Sequence, residues 1–235
     1  TNSFDDIERA RCILVVGANP TENHPIVGAR IKQRLKGGQA QLILIDPRAT
    51  ELAPLAAYHL RPQPGTDIAL FNAMAHVIVG ENLVDHVFLP ARVAEFEAFR
   101  AFIAPWTPKR AAAICGVPAD MIRGAARLYA ERAPAMAMHG LGLTEHTQGT
   151  ENVMALVNLA LLTGNIGKPG GGINPLRGQN NVQGAAQMGC DPAILTGSVA
   201  IEERRALFEA VWNAPLPRDR GLDLLGMIDA AAAGR

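Results

Sequence analysis

Residues 12–45 read CILVVGANPTENHPIVGARIKQRLKGGQAQLILI, and the pattern of this segment decides the fold class. Short apolar runs at Cys12–Val16 and Gln41–Ile45 predict two buried strands. Between them, Pro25 is expected to start a helix that runs from about residue 26 to residue 36. A strand, a helix and a strand of these lengths favour a parallel sheet, because the chain must cross over the sheet to return in the same direction. The sequence therefore predicts a doubly wound, mostly parallel α/β domain with flanking helices, of the Rossmann-like type.

The same alternation continues along the chain. The expected elements are strands near residues 58–61 and 135–138 and helices near residues 68–80, 83–102, 117–132, 150–162 and 202–211. Asp67 is placed as the cap of the helix at 68–80. Pro90 is expected to break the helix at 83–102, while Pro20, Pro105 and Pro108 are assigned to turns or loops. Beyond Gly184 the character of the sequence changes, which indicates a different structural unit.

Composition excludes several classes of function. Of the 235 residues, 49% are apolar and 19% are charged, and 22 basic side chains balance 22 acidic ones. This balance gives no electrostatic footprint for nucleic acid or for an anionic membrane. The apolar runs are too short to span a bilayer. Cys12, Cys115 and Cys190 are widely spaced, so neither disulfides nor a metal site is expected, and a reduced, cytoplasmic setting is the default.

Residues 163–184, TGNIGKPGGGINPLRGQNNVQG, contain the strongest functional signal. Five glycines fall within residues 164–172, so no helix or strand is expected there, and the backbone is free to pass close to a bulky group. Planar hydrogen-bonding side chains follow, at Arg177, Gln179, Asn180, Asn181 and Gln183. The alternative is a solvated surface loop. The absence of Ser, Asp and Glu favours a loop folded over a ligand.

Three further clusters fall at the predicted carboxyl ends of strands, where doubly wound sheets bind ligands. They are residues 17–20, 46–48 and 140–142. Asp46 has the position of an acid that binds a ribose hydroxyl or a base edge, and Arg48 is suited to phosphate. The first turn has a single glycine and Pro20 instead of GxGxxG, which argues against a nicotinamide site. The alternative interpretation is structural, with residues 46–47 as a capping turn and the glycines of 140–142 as a tight strand exit.

The histidines divide into two groups by position. His24 and His146 fall in loops that are expected to face a ligand, whereas His59, His76 and His86 fall in structural patterns. No set of His, Cys and Asp has metal-ligand spacing, and no nucleophile has an adjacent base. The residues alone therefore predict a nucleotide-binding domain without its own catalytic centre.

Five segments together resemble a known family. In chain order they are VVGANPTENHP, LILIDPR, GLGLTEHTQG, LLTGNIGKPGGGINPLRGQNNVQGA and MGC. They resemble the molybdopterin-dependent formate dehydrogenases, within the dimethyl sulfoxide reductase family of molybdenum and tungsten enzymes. The resemblance runs from Thr1 to about Pro192, and LRGQNNVQG is typical of the formate-oxidising branch.

The resemblance implies two molybdopterin guanine dinucleotides around one molybdenum or tungsten, with several contact residues in this chain. Those implied for the phosphates and guanosine are Gly17, Ala18, Asn19 and His24, then Asp46 and Arg48 at the guanosine end with Gly65, Thr66 and Asp67 nearby. Leu141, Gly142 and Glu145 are implied on the pterin-diphosphate side, although the family often has Gln in place of Glu145. Gln179 would hydrogen-bond the pterin, and Arg177 would orient formate beside the metal.

The resemblance also implies a division of the chain and a set of partners. Residues 1–179 would form the cofactor-binding domain, and residues 180–235 would begin an adjoining, incomplete domain. In the family, the metal-binding Cys or Sec with its following His, and the cysteines of a [4Fe–4S] cluster, lie upstream of the matched region. The chain is therefore expected to be an inactive piece of a subunit that oxidises formate. Its expected partners are formate, the remaining domains of that subunit and electron-transfer subunits, with no nucleic acid and no membrane.

Three other functions stay open at this point. One is a nitrate-reductase-like oxidoreductase, although that branch resembles TGQP where this chain has RGQN at residues 177–180. Another is a non-catalytic relative that serves as a scaffold in a larger complex. The last is a plain dinucleotide-binding module, which predicts affinity for NAD.

Overall fold

The computed structural model describes residues 2–189, 193–219 and 221–235. The chain divides into two compact units, Thr1–Gly178 and Gln179–Arg235. Cys190 and the expectation that it takes no part in a metal site lie outside the described residues. The assignment of residues 1–179 to cofactor binding and of residues 180–235 to an adjoining domain stays a prediction.

The first unit contains a five-stranded parallel sheet, which confirms the predicted α/β architecture. Its strands are β1 (Cys12–Val16), β2 (Gln41–Ile45), β3 (Tyr58–Leu60), β4 (Ala135–His139) and β5 (Gly172–Pro175). Their spatial order is β3-β2-β1-β4-β5, with every neighbouring pair parallel. The chain therefore moves outward from β1 in one direction and from β4 in the other. In such a sheet the crevice between β1 and β4, at their carboxyl ends, is the usual place for a ligand.

Helices cover both faces of this sheet. They are α1 (Pro20–Asn23), α2 (Pro25–Lys36), α3 (Asp67–Gly80), α4 (Phe88–Arg92), α5 (Phe96–Ile103), α6 (Pro108–Cys115), α7 (Ala119–Glu131), α8 (Leu141–Thr144) and α9 (Gly149–Leu162), with short 3-10 helices at Phe4–Arg9 and Ala53–Leu55. Leu14 of β1 packs into the core formed with α3, α6, α7 and α9. Ile13 packs into the opposite core, which α2 and Phe4–Arg9 close. The strands are apolar on both faces because both faces are buried.

Several prolines expected in turns or breaks instead lie in the first turns of helices. Pro20 starts α1, and Pro108 starts α6, where the hydroxyl of Thr107 accepts a hydrogen bond from the Arg110 amide at 3.3 Å. Pro90 lies within α4, and the break comes later, before Glu95 at φ 55°. These three predictions were wrong for one reason: proline has a helical φ and lacks only an amide that the first turn leaves unpaired.

The glycine-rich segment contains a strand, contrary to the prediction. Gly172–Pro175 forms β5 at the edge of the sheet, paired with β4 from Met136↔Gly172 to His139↔Pro175. The Asn174 carboxamide oxygen accepts a hydrogen bond from the Asn2 amide at 2.6 Å. A four-residue edge strand that contains glycine and proline has no apolar periodicity, so pairing with β4 decides its structure.

The second unit contains α10 (Val182–Gln187), α11 (Ile201–Trp212), α12 (Leu224–Ala232) and an antiparallel pair, β6 (Ile194–Leu195) with β7 (Val199–Ala200). The helix predicted near residues 202–211 is α11. Within it, Phe208 and Trp212 pack edge to face with ring centroids 5.1 Å apart. Throughout the described part of the chain, each helix is too short or too polar to cross a membrane.

Candidate functional site

A cavity of about 660 Å³ lies at the carboxyl ends of β1, β2, β3 and β4, within the first unit. It brings together many of the residues singled out from the sequence. The predicted ones that line it are Gly17, Ala18, Asn19, His24, Asp46, Arg48, Asp67, Leu141 and Gly142. His146 also lines it, as expected for a ligand-facing histidine. The volume falls within the range of about 300–1,000 Å³ that is typical of small-molecule sites.

The loops after β1 and β4 meet backbone to backbone beneath this cavity. The Gly17 amide donates to Ile45 O at 3.0 Å, and the Gly142 amide donates to Gly17 O at 3.0 Å. A Cβ on Gly140 would lie 2.7 Å from Gly17 O. Contact between the two loops therefore requires glycine at residues 140 and 142, which agrees with the interpretation of these glycines as a tight strand exit. The same contact forms one wall of the cavity.

Asp46 fixes the turn that follows β2. Its Oδ1 accepts hydrogen bonds from the Arg48 amide at 2.8 Å and from Arg48 Nε at 3.4 Å. The Asp46 side chain is 3% exposed, whereas that of Arg48 is 70% exposed. The turn interpretation and the binding interpretation are thus compatible, because one carboxylate holds the turn and also lines the cavity. A guanidinium at the rim is available to an anionic group.

Asp67 is the first residue of α3, not its cap. The N-cap is Thr66, and no side chain caps the helix there. The carboxyl of Asp67 is buried at the cavity wall, and this desolvation raises its pKa. Its own backbone amide and the nearby His146 act in the opposite direction on that pKa. The prediction of a cap was therefore wrong by one residue, while Asp67 lies at the cavity, as the resemblance implied.

Imidazoles hold the backbone of three loops around the cavity. His24 Nε2 lies 2.7 Å from Arg177 O, His146 Nε2 lies 2.9 Å from Gly142 O, and His59 Nε2 lies 2.9 Å from Asp46 O. A carbonyl oxygen only accepts, so each Nε2 donates and carries the proton. These three hydrogen bonds fix the loops that surround the cavity.

Five of the predicted residues do not line the cavity. Gly65, Thr66, Glu145 and Arg177 belong to the first unit but lie outside the lining, while Gln179 belongs to the second unit. Arg177 is exposed, and its neighbours in sequence, Leu176 and Gly178, do line the cavity. The Leu176 amide donates to His139 O at 2.8 Å, which ties this segment to the end of β4.

Sequence reasoning missed part of the lining. The lining residues that lie outside every segment expected to face a ligand are Asn23, Pro62, Gln63 and Pro64. Pro47, Gly140, Leu176 and Gly178 lie inside such segments but were not named individually. Residues 62–64 closely follow β3, so the rule that places ligands at the carboxyl ends of strands was a signal for them. The loop they form is held by Gln148, whose Nε2 donates to Gly65 O at 2.9 Å.

His139, at the end of β4, is a further buried polar group beside this site. Burial lowers its pKa, the backbone of Gly140 acts to raise it, and the positive charge of Arg177 lowers it further. The ring therefore resists protonation next to a guanidinium. Within residues 2–189, 193–219 and 221–235, no group of three or more His, Cys, Asp or Glu side chains is arranged to hold a metal ion.

The donors and acceptors of the cavity suit a nucleotide. Amides come from Asn19, Asn23 and Gln63, and carboxylates come from Asp46 and Asp67. Arg48 supplies one permanent positive charge. Carboxylates accept from the N–H groups of a base edge or from ribose hydroxyls, whereas the guanidinium binds phosphate.

The chain is similar to several known proteins. The family model for molybdopterin oxidoreductase matches residues 1–223. The F420-dependent formate dehydrogenase subunit alpha of Methanocaldococcus jannaschii is 45% identical over 97% of this chain and 34% of that protein. Formate dehydrogenase H of Escherichia coli is 40% identical over 100% of this chain and 33% of that protein. Nitrate reductases also match, such as the periplasmic enzyme of Desulfovibrio desulfuricans, at 32% identity over 99% of this chain and 33% of that protein.

A solved structure matches as well. Acetylene hydratase from Pelobacter acetylenicus superposes with a TM-score of 0.64 and 30% identity, over 69% of this chain and 22% of that one. The chain spans about a third of the length of the formate dehydrogenase subunits that it matches.

Proposed function

The chain belongs to the molybdopterin oxidoreductase family, and from this we propose that it forms part of a formate dehydrogenase catalytic subunit. The whole subunit would oxidise formate to carbon dioxide, with release of a proton and two electrons. In this proposal the cavity of the first unit binds one of two molybdopterin guanine dinucleotides. The observation that carries the proposal is the joining of Asn19, Asp46, Arg48 and Asp67 in one cavity at the β1–β4 crevice.

The residues of the cavity fit the dinucleotide end of that cofactor. Asp46 and Asp67 offer carboxylates to the guanine edge and to ribose hydroxyls, and Arg48 offers its exposed guanidinium to the diphosphate. Asn19 is buried, and its carboxamide oxygen accepts a hydrogen bond from the Thr21 hydroxyl at 2.8 Å. When bound, the cofactor would supply a molybdenum or tungsten centre that accepts two electrons from formate. Leu141, Gly142 and Glu145 would lie toward the pterin side, with Gly65 and Thr66 near the guanosine.

Arg177 is the residue that we assign to formate itself. A guanidinium binds a carboxylate through two parallel hydrogen bonds, which fixes the direction of the C–H bond. The His24 ring and His139 O hold the backbone of residues 176–177 at the cavity rim, so the position of this side chain is supported from two sides. Gln179 is assigned to a hydrogen bond with the pterin.

A nitrate-reductase-like activity is the second candidate, because nitrate reductases are among the relatives. The sequence RGQN at residues 177–180 favours the formate branch over it. The relatives of higher identity carry formate dehydrogenase names, at 45% and 40%.

To the whole subunit we also assign a [4Fe–4S] cluster, electron-transfer partner subunits and a cytoplasmic location. No contact with nucleic acid or with a membrane is proposed for this chain.

Kinetics of Arg177 variants in the intact, cofactor-loaded subunit test the assignment to formate. Loss of a charge-assisted, bidentate contact in Arg177→Ala should lower kcat/KM for formate by about 100-fold or more. Arg177→Lys keeps the positive charge but loses the two parallel hydrogen bonds, so its kcat/KM should lie between those of the wild type and Arg177→Ala. Arg204→Ala removes an exposed arginine of the second unit and is the matched control. Unchanged formate turnover in Arg177→Ala would remove the assigned role.

A further inference from the structure

We propose that His24 is a positioning residue that sets the direction of Arg177 and links it to the cavity. The proposal rests on the proposed function, in which Arg177 binds formate. The side chain of His24 contacts the backbone of Arg177 and not the substrate.

The hydrogen bond between the two residues is short and has a fixed direction. His24 Nε2 lies 2.7 Å from Arg177 O, across 153 residues of sequence. Because the carbonyl has no proton, the imidazole must donate. Holding the carbonyl of a residue restricts its ψ angle, and through the backbone this restricts where its side chain points.

The backbone of His24 is itself firmly held, which makes it a suitable anchor. It lies between α1 and α2, and its amide donates to Pro20 O at 3.1 Å. Its carbonyl accepts from the Gly28 amide at 3.0 Å, within the first turn of α2. The ring therefore projects from a junction between two helices and not from a free loop.

The sheet holds the backbone of Leu176, the residue before Arg177. The Leu176 amide donates to His139 O at 2.8 Å, where β4 ends. Consecutive residues are thus held by different elements, Leu176 by the sheet and Arg177 by the helix junction. Removing one anchor leaves the other, so we expect a local loosening and not a loss of fold.

His24 lines the cavity, and its ring also hydrogen-bonds the backbone of Arg177. One residue therefore borders both Arg177 and the space assigned to the dinucleotide. A ligand that orders this ring would restrict Arg177 at the same time. The geometry thus couples occupancy of the cavity to readiness for the substrate.

Two substitutions separate the hydrogen bond from the mere presence of a side chain. His24→Gln places an amide donor near the position of Nε2, whereas His24→Asn is shorter and does not reach Arg177 O. His86→Asn is the matched control, because His86 is exposed and lies outside the cavity lining. All variants are made in the intact subunit.

The first readout is amide hydrogen exchange at Leu176 and its neighbours in the cofactor-free protein. We expect about tenfold faster exchange in His24→Asn, as for the loss of one hydrogen bond, and near-normal exchange in His24→Gln and His86→Asn. Unchanged exchange in His24→Asn, or equal loosening in His24→Gln, would overturn the proposal.

The second readout is formate kinetics per bound metal. His24→Asn should raise KM about tenfold with little change in kcat, and His24→Gln should restore KM. A fall in metal content with unchanged KM would contradict the proposal, because His24 would then serve the cofactor alone. If the wild-type subunit does not oxidise formate, the proposed function fails, whereas the exchange measurement still decides the role of His24.

Discussion

Gly17 and Gly142 are in such close contact that a Cβ on Gly17 would lie 2.5 Å from the carbonyl carbon of Gly142. Gly17 also has φ +54°, in the left-handed region that glycine adopts without strain. The turn after β1 and the loop after β4 therefore form one rigid wall of the cavity. Any side chain at residue 17 would force these two backbones apart.

This contact predicts a large loss of stability in Gly17→Ala. Gly38→Ala is the matched control, because Gly38 has φ +66° but, apart from its chain neighbours, no residue has a heavy atom within 4 Å of the point that its methyl group would occupy. The positive φ alone should cost about 1–2 kcal/mol in Gly38→Ala. Overpacking against backbone should bring the cost in Gly17→Ala to about 3 kcal/mol or more. Urea unfolding measures both, and equal losses would mean that the loop contact contributes nothing.

Asp46 provides a test of the nucleotide cavity. In Asp46→Asn an acceptor oxygen stays available to the Arg48 amide, while the charge offered to a guanine edge is removed. We expect about tenfold less bound cofactor after purification, since one charge-assisted hydrogen bond is lost. Metal content and released guanine nucleotide are the measurements. Asp120→Asn, at a side chain that is 96% exposed, is the control. Full cofactor content in Asp46→Asn would remove Asp46 from the site.

Asp67 should affect the pH dependence of stability. Its pKa is raised by burial, so the folded state retains the proton to higher pH than the unfolded state does. Ionisation of Asp67 therefore destabilises the fold, and this loss grows as pH rises from the ordinary Asp pKa through the raised one. Asp67→Asn has no such loss, so its free energy of unfolding should gain on that of the wild type between about pH 4 and pH 7. A constant difference across this range would contradict the burial of the carboxylate.

The pKa of Asp67 also reports on its neighbour His146. His146 lowers the pKa of Asp67, against the larger effect of burial. His146→Gln keeps a donor for Gly142 O but removes the imidazole charge, so the pKa of Asp67 should rise further. Carbon NMR of the labelled Asp67 carboxyl measures this directly, and a lower pKa in the variant would refute the pairing.

Much of the fold was predictable because its strands are continuous apolar runs. β1, β2 and β4 are buried on both faces, so each is visible in the sequence through its unbroken run of apolar residues. β5 was not predictable, since Gly172–Pro175 becomes a strand only by pairing with β4. The prolines at 20, 90 and 108 were assigned to turns or breaks because a proline at the start of a helix looks the same in sequence as a proline that ends one.

The site was predictable where it follows from sheet topology. The turns at Gly17 and Asp46 end adjacent strands, so their convergence was expected. The hydrogen bond from His24 to Arg177 spans 153 residues, and no local pattern indicates it. The role of Gly142 was ambiguous for a similar reason, because only the folded backbone reveals its contact with Gly17.

The central claim is that this chain belongs to a subunit that oxidises formate, and substrate choice by the purified, intact subunit tests it most directly. The measurement supplies carbon-13 formate with an oxidised viologen dye, and in parallel nitrate with the reduced dye. We predict that one labelled carbon dioxide forms for every two electrons transferred to the dye. We also predict that nitrate does not oxidise the reduced dye. Nitrate reduction without any formate oxidation would contradict it.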